Sequence, residues 1–504
     1  MDNGNFYATL RDRFSARLDA PMLTAPDGAV ATYGDMDARA GAMASAFAHA
    51  GARAGDRIVV QVEKSFDNVA AYLGALRGGF VYCPLNTAYT DEEVAYFLGD
   101  AEPAIFVCDP ARMNALSAVA KSAGVDCLMT LGGAGKGTLC DAANNARDAA
   151  PVHARHADDL AAILYTSGTT GRSKGAMLSH RALQSNALAL NALWGFSGDD
   201  VLLHALPVFH IHGLFVALHT AMLSACEILF LPRFEISAVR NALPRASLMM
   251  GVPTFYTRLL DDERFDRAAT AHMRLFVSGS APLSAETHAA FETRTGHKIL
   301  ERYGMSEAGM IASNLLDGDR IAGTVGFALP GVDIRITDGD GANLPANDPG
   351  NVEVRGDSLF SGYWRMPEKT AEEFRGDWFV TGDIGALDES GRLTLSGRAK
   401  DLIIAGGYNI YPKEIETVLD AVEGVSESAV IGAPHKDMGE GVVAVIVGDV
   451  GDDTIRKAAE ALARFKRPRR YYRLDALPRN AMGKVQKQVL RERYLDAFTD
   501  GETG

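Results

Sequence analysis

The chain has 504 residues and a net charge of −14, from 64 acidic and 50 basic side chains. That length exceeds one ordinary core, so two or more domains are expected, and the negative charge argues against a nucleic-acid partner. Hydrophobic residues at 47% and charged residues at 23% are the balance of a soluble globular protein. Cys83, Cys108, Cys127, Cys140 and Cys226 share no metal-site spacing and read as reduced thiols in a cytoplasmic setting. The first residues carry Asp2, Arg11, Asp12 and Arg13 without an apolar run, so no signal peptide is expected. The uncharged run 214–226 is shorter than the ~20 residues of a membrane span. With His219 in its middle, it reads as a buried helix.

Residues 1 to about 160 alternate helical and strand patterns. A helix is predicted from 33 to about 50, a strand over 56–62, a helix over 66–78 and a strand over 80–86. A helix from 91 and a strand over 104–108 repeat the cycle, which predicts a parallel α/β sheet. Gly132-Gly-Ala-Gly-Lys-Gly137 has a phosphate-loop composition without the Walker spacing and reads as a surface loop.

The apolar strand 160–164 then runs into Tyr165-Thr-Ser-Gly-Thr-Thr-Gly-Arg-Ser-Lys-Gly175. Glycines let backbone N–H groups approach an anion, hydroxyls add donors, and Lys174 adds a point charge. This chemistry suits a polyphosphate. It is not a Walker A loop, since Ser173 stands where that pattern needs glycine. Further on, His210 and His212 in Phe209-His-Ile-His-Gly213 have no third ligand at a suitable spacing, which argues against a metal site. Three more strand ends carry polar groups: Gly279-Ser-Ala-Pro282, Glu301-Arg-Tyr-Gly-Met-Ser-Glu307, and Thr381-Gly-Asp383. A strand over 391–398 ends at Arg398, and Ala399-Lys400 marks a domain boundary. A shorter α+β pattern follows, with a helix from Pro412, strands over 428–431 and 441–447, and a helix over 454–464. Arg479-Asn-Ala-Met-Gly-Lys484 is a turn, with Lys484 starting a last basic helix.

Taken in order, these motifs closely resemble the adenylate-forming superfamily of acyl-CoA synthetases, luciferases and peptide-synthetase adenylation domains. The resemblance covers residues 25–495. It implies an α/β fold, with a large N-terminal ATP- and acyl-binding domain of mixed and parallel sheets (1–399) and a small mobile α+β domain (400–504). It implies that Thr166, Ser167, Gly168, Thr169, Thr170, Gly171 and Lys174 hold the ATP phosphates, and that Ser280, Ala281 and Pro282 border the adenine. Glu301, Tyr303, Gly304, Met305 and Ser306 would complete the nucleotide site, with Asp383 and Arg398 on the ribose. Mg²⁺ would sit on Thr166 and Glu307, as a carboxylate beside polyphosphate needs a bridging cation. Lys484 would be catalytic with Thr166 and Glu307. Lys400 would be the hinge, and Phe209, Gly406, Gly407 and Tyr408 would line the coenzyme A tunnel.

Arg302 and His210 would face the acid. A buried, unpaired guanidinium costs several kcal/mol, so an anionic partner is expected, unless Arg302 pairs with Glu301. These residues resemble the malonate-activating branch of the family, with methylmalonate as a possible second substrate. The alternatives are a short-chain monocarboxylate acyl-CoA synthetase and a stand-alone adenylation domain loading a carrier protein. The resemblance also implies control by a lysine acetyltransferase and deacetylase acting on Lys484.

Overall fold

The computed structural model describes residues 3–146, 148–166, 173–405, 408–436, 438–480 and 483–498. Three sheets organise them. The first has six strands in the order Leu128–Thr130, Ile105–Cys108, Arg57–Gln61, Val81–Pro84, Leu160–Thr166, Lys174–Ser179. All its pairs are parallel except the last. Its strands read as short apolar runs because both faces are covered. Helices Tyr33–His49 and Asp91–Ala101 start at capping boxes, Thr32 with Asp35 and Thr90 with Glu93, which fix the predicted boundaries.

One expectation needs refining here. The strand Lys174–Ser179 pairs antiparallel with Leu160–Thr166, so this sheet is not wholly parallel. The helix follows only at His180–Leu193. The run 214–226 is helical as far as Leu223 and largely buried, with a π-helical segment at His212–Ala217 ahead of Leu218–Leu223. Such segments are frequent at functional sites.

The second sheet has fourteen strands and carries most of the polar motifs. Its middle runs Trp378–Leu387, Leu393–Arg398, Thr324–Ala328, Gly309–Ser313, Leu300–Met305, Leu275–Ser278. Register shifts at Tyr303/Gly304, Thr324/Gly326 and Ile384/Gly385 bend these strands. Asp383 therefore lies inside the ten-residue strand Trp378–Leu387, beside a bulge, and not at a strand end.

The third sheet, of five strands, lies wholly after residue 402: Tyr408–Ile410, Ile403–Ala405, Gly439–Gly448 and Val425–His435, with Arg470–Arg473 also on Gly439–Gly448. Its hairpin Val425–His435/Gly439–Gly448 is longer than the sequence pattern suggests. The helix Pro412–Asp420 starts where proline predicts, and Asp452–Ala459 ends before the expected 464. Lys484 is not helical. Its turn is closed by Asn480, and the last helix is Lys487–Arg493. Arg491 of that helix pairs with Asp401, next to the boundary residue Lys400, at 2.6 Å.

Candidate active site

Curvature of the large sheet gathers the first group of side chains. Trp378–Leu387 and Leu300–Met305 are four strand steps apart, about 19 Å if the sheet were flat. Yet the Tyr303 hydroxyl donates to Asp383 Oδ2. Arg398, on the strand between, pairs with Asp383 Oδ1 at 2.8 Å and donates to the Thr381 carbonyl at 2.9 Å. Burial raises the Asp383 pKa, and Arg398 opposes the shift. Gly304, Met305 and Ser306 continue this wall, half-buried.

A second group surrounds Glu307, which is 7% exposed. Its Oε1 accepts from the Tyr363 hydroxyl at 3.1 Å and lies 3.5 Å from Thr166 Oγ1. Two oxygens thus converge at the root of the glycine-rich loop. That donor set suits a hard cation also held by phosphates. Lys174 is engaged elsewhere: it donates to Glu373 at 3.2 Å and lies 4.1 Å over the Tyr363 ring. Residues 167–171, read above as phosphate donors, and Gly406 and Gly407 lie outside the described residues.

The third group is cationic. Arg302 is 4% exposed, and its Nε and Nη2 have no hydrogen-bond partner among the described residues. Burial lowers its pKa to about 9, so it remains charged at neutral pH. It does not pair with Glu301. Successive strand residues face opposite ways, and Glu301 Oε1 accepts from the Gly323 N–H at 3.3 Å. Arg302 instead packs over Gly279, where a methyl group would fall 2.5 Å from Nε. Burial first, then Lys484 and Arg302, lowers the His210 pKa to about 3, so His210 is neutral. Its Nδ1 accepts from the His212 N–H at 3.4 Å, while His212 Nδ1 lies 3.2 Å from Ser280 Oγ. Ser280 has φ +72, a strained value for a non-glycine residue at the turn. Ala281 beside it is half-buried, and Pro282 is exposed. No group of three His, Cys, Asp or Glu able to hold a metal occurs among the described residues.

Lys484 faces these groups from the small domain. Its residue surface is still open to solvent. Lost solvation and then Arg398 lower its pKa, while Asp383 and Glu307 oppose them. A methyl at Gly483 would lie 3.9 Å from Thr254 of the large domain. Lys400 is exposed, in the short turn Ala399–Asp401. Phe209 is half-buried, and Tyr408 is 56% exposed and stacks on Phe465 at 4.5 Å.

Sequence reading missed Tyr363, Glu373 and Gly279. Tyr363 and Glu373 stand in no motif that marks them. Gly279 lay inside a quoted turn, and its lack of a side chain was the available signal.

The family described as "AMP-binding enzyme" matches residues 10–364, and "AMP-binding enzyme C-terminal domain" matches residues 414–484. The chain is similar to a malonate–CoA ligase of Arabidopsis thaliana, 34% identical over 482 residues, spanning 88% of this chain and 78% of that protein. It is also similar to the ATP-bound structure of MatB from Rhodopseudomonas palustris, with TM-score 0.96 and 50% identity over 99% of this chain and 100% of that one. Against the apo structure of the same MatB, at the same identity and coverage, the TM-score is 0.86.

Proposed function

The chain belongs to the AMP-binding enzyme family, and from that premise we propose that it is an AMP-forming malonate–CoA ligase. Malonate and ATP give malonyl-AMP and pyrophosphate, and coenzyme A then gives malonyl-CoA and AMP. A carboxylate is a poor electrophile, because its leaving group would be oxide. Adenylation supplies a better leaving group.

The observation that carries this reading is the buried Arg302 guanidinium, charged and short of acceptors, with neutral His210 in its field. A second carboxylate on the acid supplies the missing anion, and His210 can donate a further hydrogen bond. A monocarboxylate leaves the charge desolvated. That makes the short-chain monocarboxylate alternative the weaker reading.

For the nucleotide, Asp383 and Arg398 suit the ribose, Tyr303 the adenine, and Ser280 to Pro282 and Glu301 to Ser306 its borders. The glycine-rich loop, with Thr166 and Lys174, suits the phosphates. Thr166 and Glu307 would hold Mg²⁺, which would screen charge between the carboxylate and the triphosphate. Lys484 offsets the negative charge that builds as the malonate carboxylate meets the α-phosphate. The likeness to ATP-bound MatB supports reading this arrangement as the adenylating one. For thioester formation the small domain, 400–504, turns about Lys400. Lys484 withdraws, and Gly406, Gly407 and Tyr408 approach the thiol path beside Phe209. Acetylation of Lys484 by an acetyltransferase, reversed by a deacetylase, would remove its charge and silence adenylation.

No helix among the described residues is long and apolar enough to cross a membrane. The test is pyrophosphate release and coenzyme A consumption with malonate, methylmalonate, succinate, acetate and propionate. Malonate is expected to dominate. Equal use of acetate or propionate overturns the dicarboxylate reading.

A further inference from the structure

Among the contacts that hold the turn carrying Lys484 to the small domain's sheet is an ion pair. Arg479 donates from Nη1 to the Gly483 carbonyl at 2.6 Å. Its Nη2 pairs with Glu427 Oε2. The other Glu427 oxygen accepts from the Leu477 N–H at 3.4 Å. Glu427 stands on Val425–His435, a strand of the small domain's main hairpin. Within the turn, Arg479 and Val485 pair across it. Asn480 Oδ1 accepts from the Lys484 N–H at 3.0 Å, and the Asn480 N–H donates to the Lys484 carbonyl at 2.9 Å. Gly483 takes φ +75, which the reversal requires. Asn480 shapes the turn from within, while Arg479 and Glu427 fix it to the sheet.

We propose that Glu427 and Arg479 are a positioning pair for the adenylation lysine. This rests on reading Lys484 as that lysine. Neither residue is placed among the groups proposed to meet the substrates, and both act through Gly483 and Lys484. The physical ground is the demand on reach. A flexible side chain on a separate domain meets a reaction centre on the large one, and a displacement of about 1 Å can cost on the order of 100-fold in rate. Removing the Glu427 carboxylate leaves Arg479 without its sheet-side anchor, and the Gly483 carbonyl with a donor free to swing.

The test uses the full-length enzyme and separates the two half-reactions. For Glu427→Ala, kcat for malonate-dependent pyrophosphate release is expected to fall about 10- to 100-fold. KM for malonate and ATP should stay within about threefold of wild type. Thioester formation from supplied malonyl-AMP should keep its wild-type rate, because Lys484 is not needed there. Glu427→Gln keeps acceptors for Arg479 and Leu477 and should recover most of the adenylation rate. Wild-type pyrophosphate release by Glu427→Ala overturns the proposal. So does an equal loss in both half-reactions, which would mark a role in folding alone. Lys484→Ala is the control: if it adenylates normally, the reading of Lys484 fails, separately from the pair.

Discussion

Arg302 and Glu301 are neighbours in the chain and opposites in the fold. The Glu301 carboxylate turns to the Gly323 N–H, while the Arg302 guanidinium lies over Gly279 with two nitrogens short of acceptors among the described residues. The charge on Arg302 is thus not paired with the carboxylate beside it in the chain, and on the proposed reading the choice of acid depends on what meets it. Arg302→Met is expected to lower kcat/KM for malonate by about 100- to 10,000-fold. Without substrates, the same change should stabilise the fold by about 1–3 kcal/mol, since it removes an uncompensated buried charge. Malonate should raise the melting temperature of wild type and leave that of the variant unmoved. Undiminished malonate turnover by Arg302→Met would refute the assignment.

Gly279→Ala tests the same wall from the other side. The added methyl would collide with the guanidinium, and the backbone there tolerates alanine because φ is not positive. Arg302 is expected to shift, with malonate kcat/KM falling on the order of 100-fold. KM for ATP should change by less than about threefold. A larger change in the ATP constant than in the malonate constant would mean that Gly279 serves the nucleotide.

Lys484→Ala is expected to slow adenylation about 100- to 1,000-fold, the usual cost of losing one group that stabilises developing charge. Release of malonyl-CoA from supplied malonyl-AMP should continue. Rapid-quench assays of each half-reaction decide the matter, and near-normal pyrophosphate release would remove Lys484 from the mechanism.

Glu301 makes stability depend on pH. Burial lifts its carboxyl from the ordinary 4.5 to about 7. Between these values the folded chain holds a proton that the unfolded chain has lost. Stability from this group is therefore complete below about 4.5 and falls as pH rises through 7. The difference is on the order of 3 kcal/mol. Glu301→Gln should flatten the melting temperature between pH 5 and 8 and leave the variant the more stable protein at pH 8. Parallel wild-type and variant curves would contradict the buried, proton-holding carboxyl.

Much of the scaffold was legible because local rules and tertiary context agree. Thr32 with Asp35, Thr90 with Glu93, and Pro412 all mark helix starts that packing leaves unchanged. The polar groups at 301–307 and Arg398 could be read as one chemical set from residue type and order. What escaped depends on contacts with no local trace. Lys174 meets Glu373 across 199 residues, and Tyr363 reaches Glu307 across 56. Asp383 sits at a bulge whose position follows from pairing with Leu393–Arg398, which its own segment does not encode. Lys484 was read into the last helix because basic residues follow it, but the Asn480 hydrogen bonds hold it in a turn instead.

The 2.6 Å pair between Arg491 and Asp401 has a mechanical meaning. Asp401 is the residue after Lys400, and Arg491 lies one helix beyond Lys484. The pair therefore ties the residue after the proposed pivot to the helix that follows the Lys484 turn. On the proposed turn about Lys400, loosening this clamp should blur the timing between the two half-reactions while leaving each of them chemically intact.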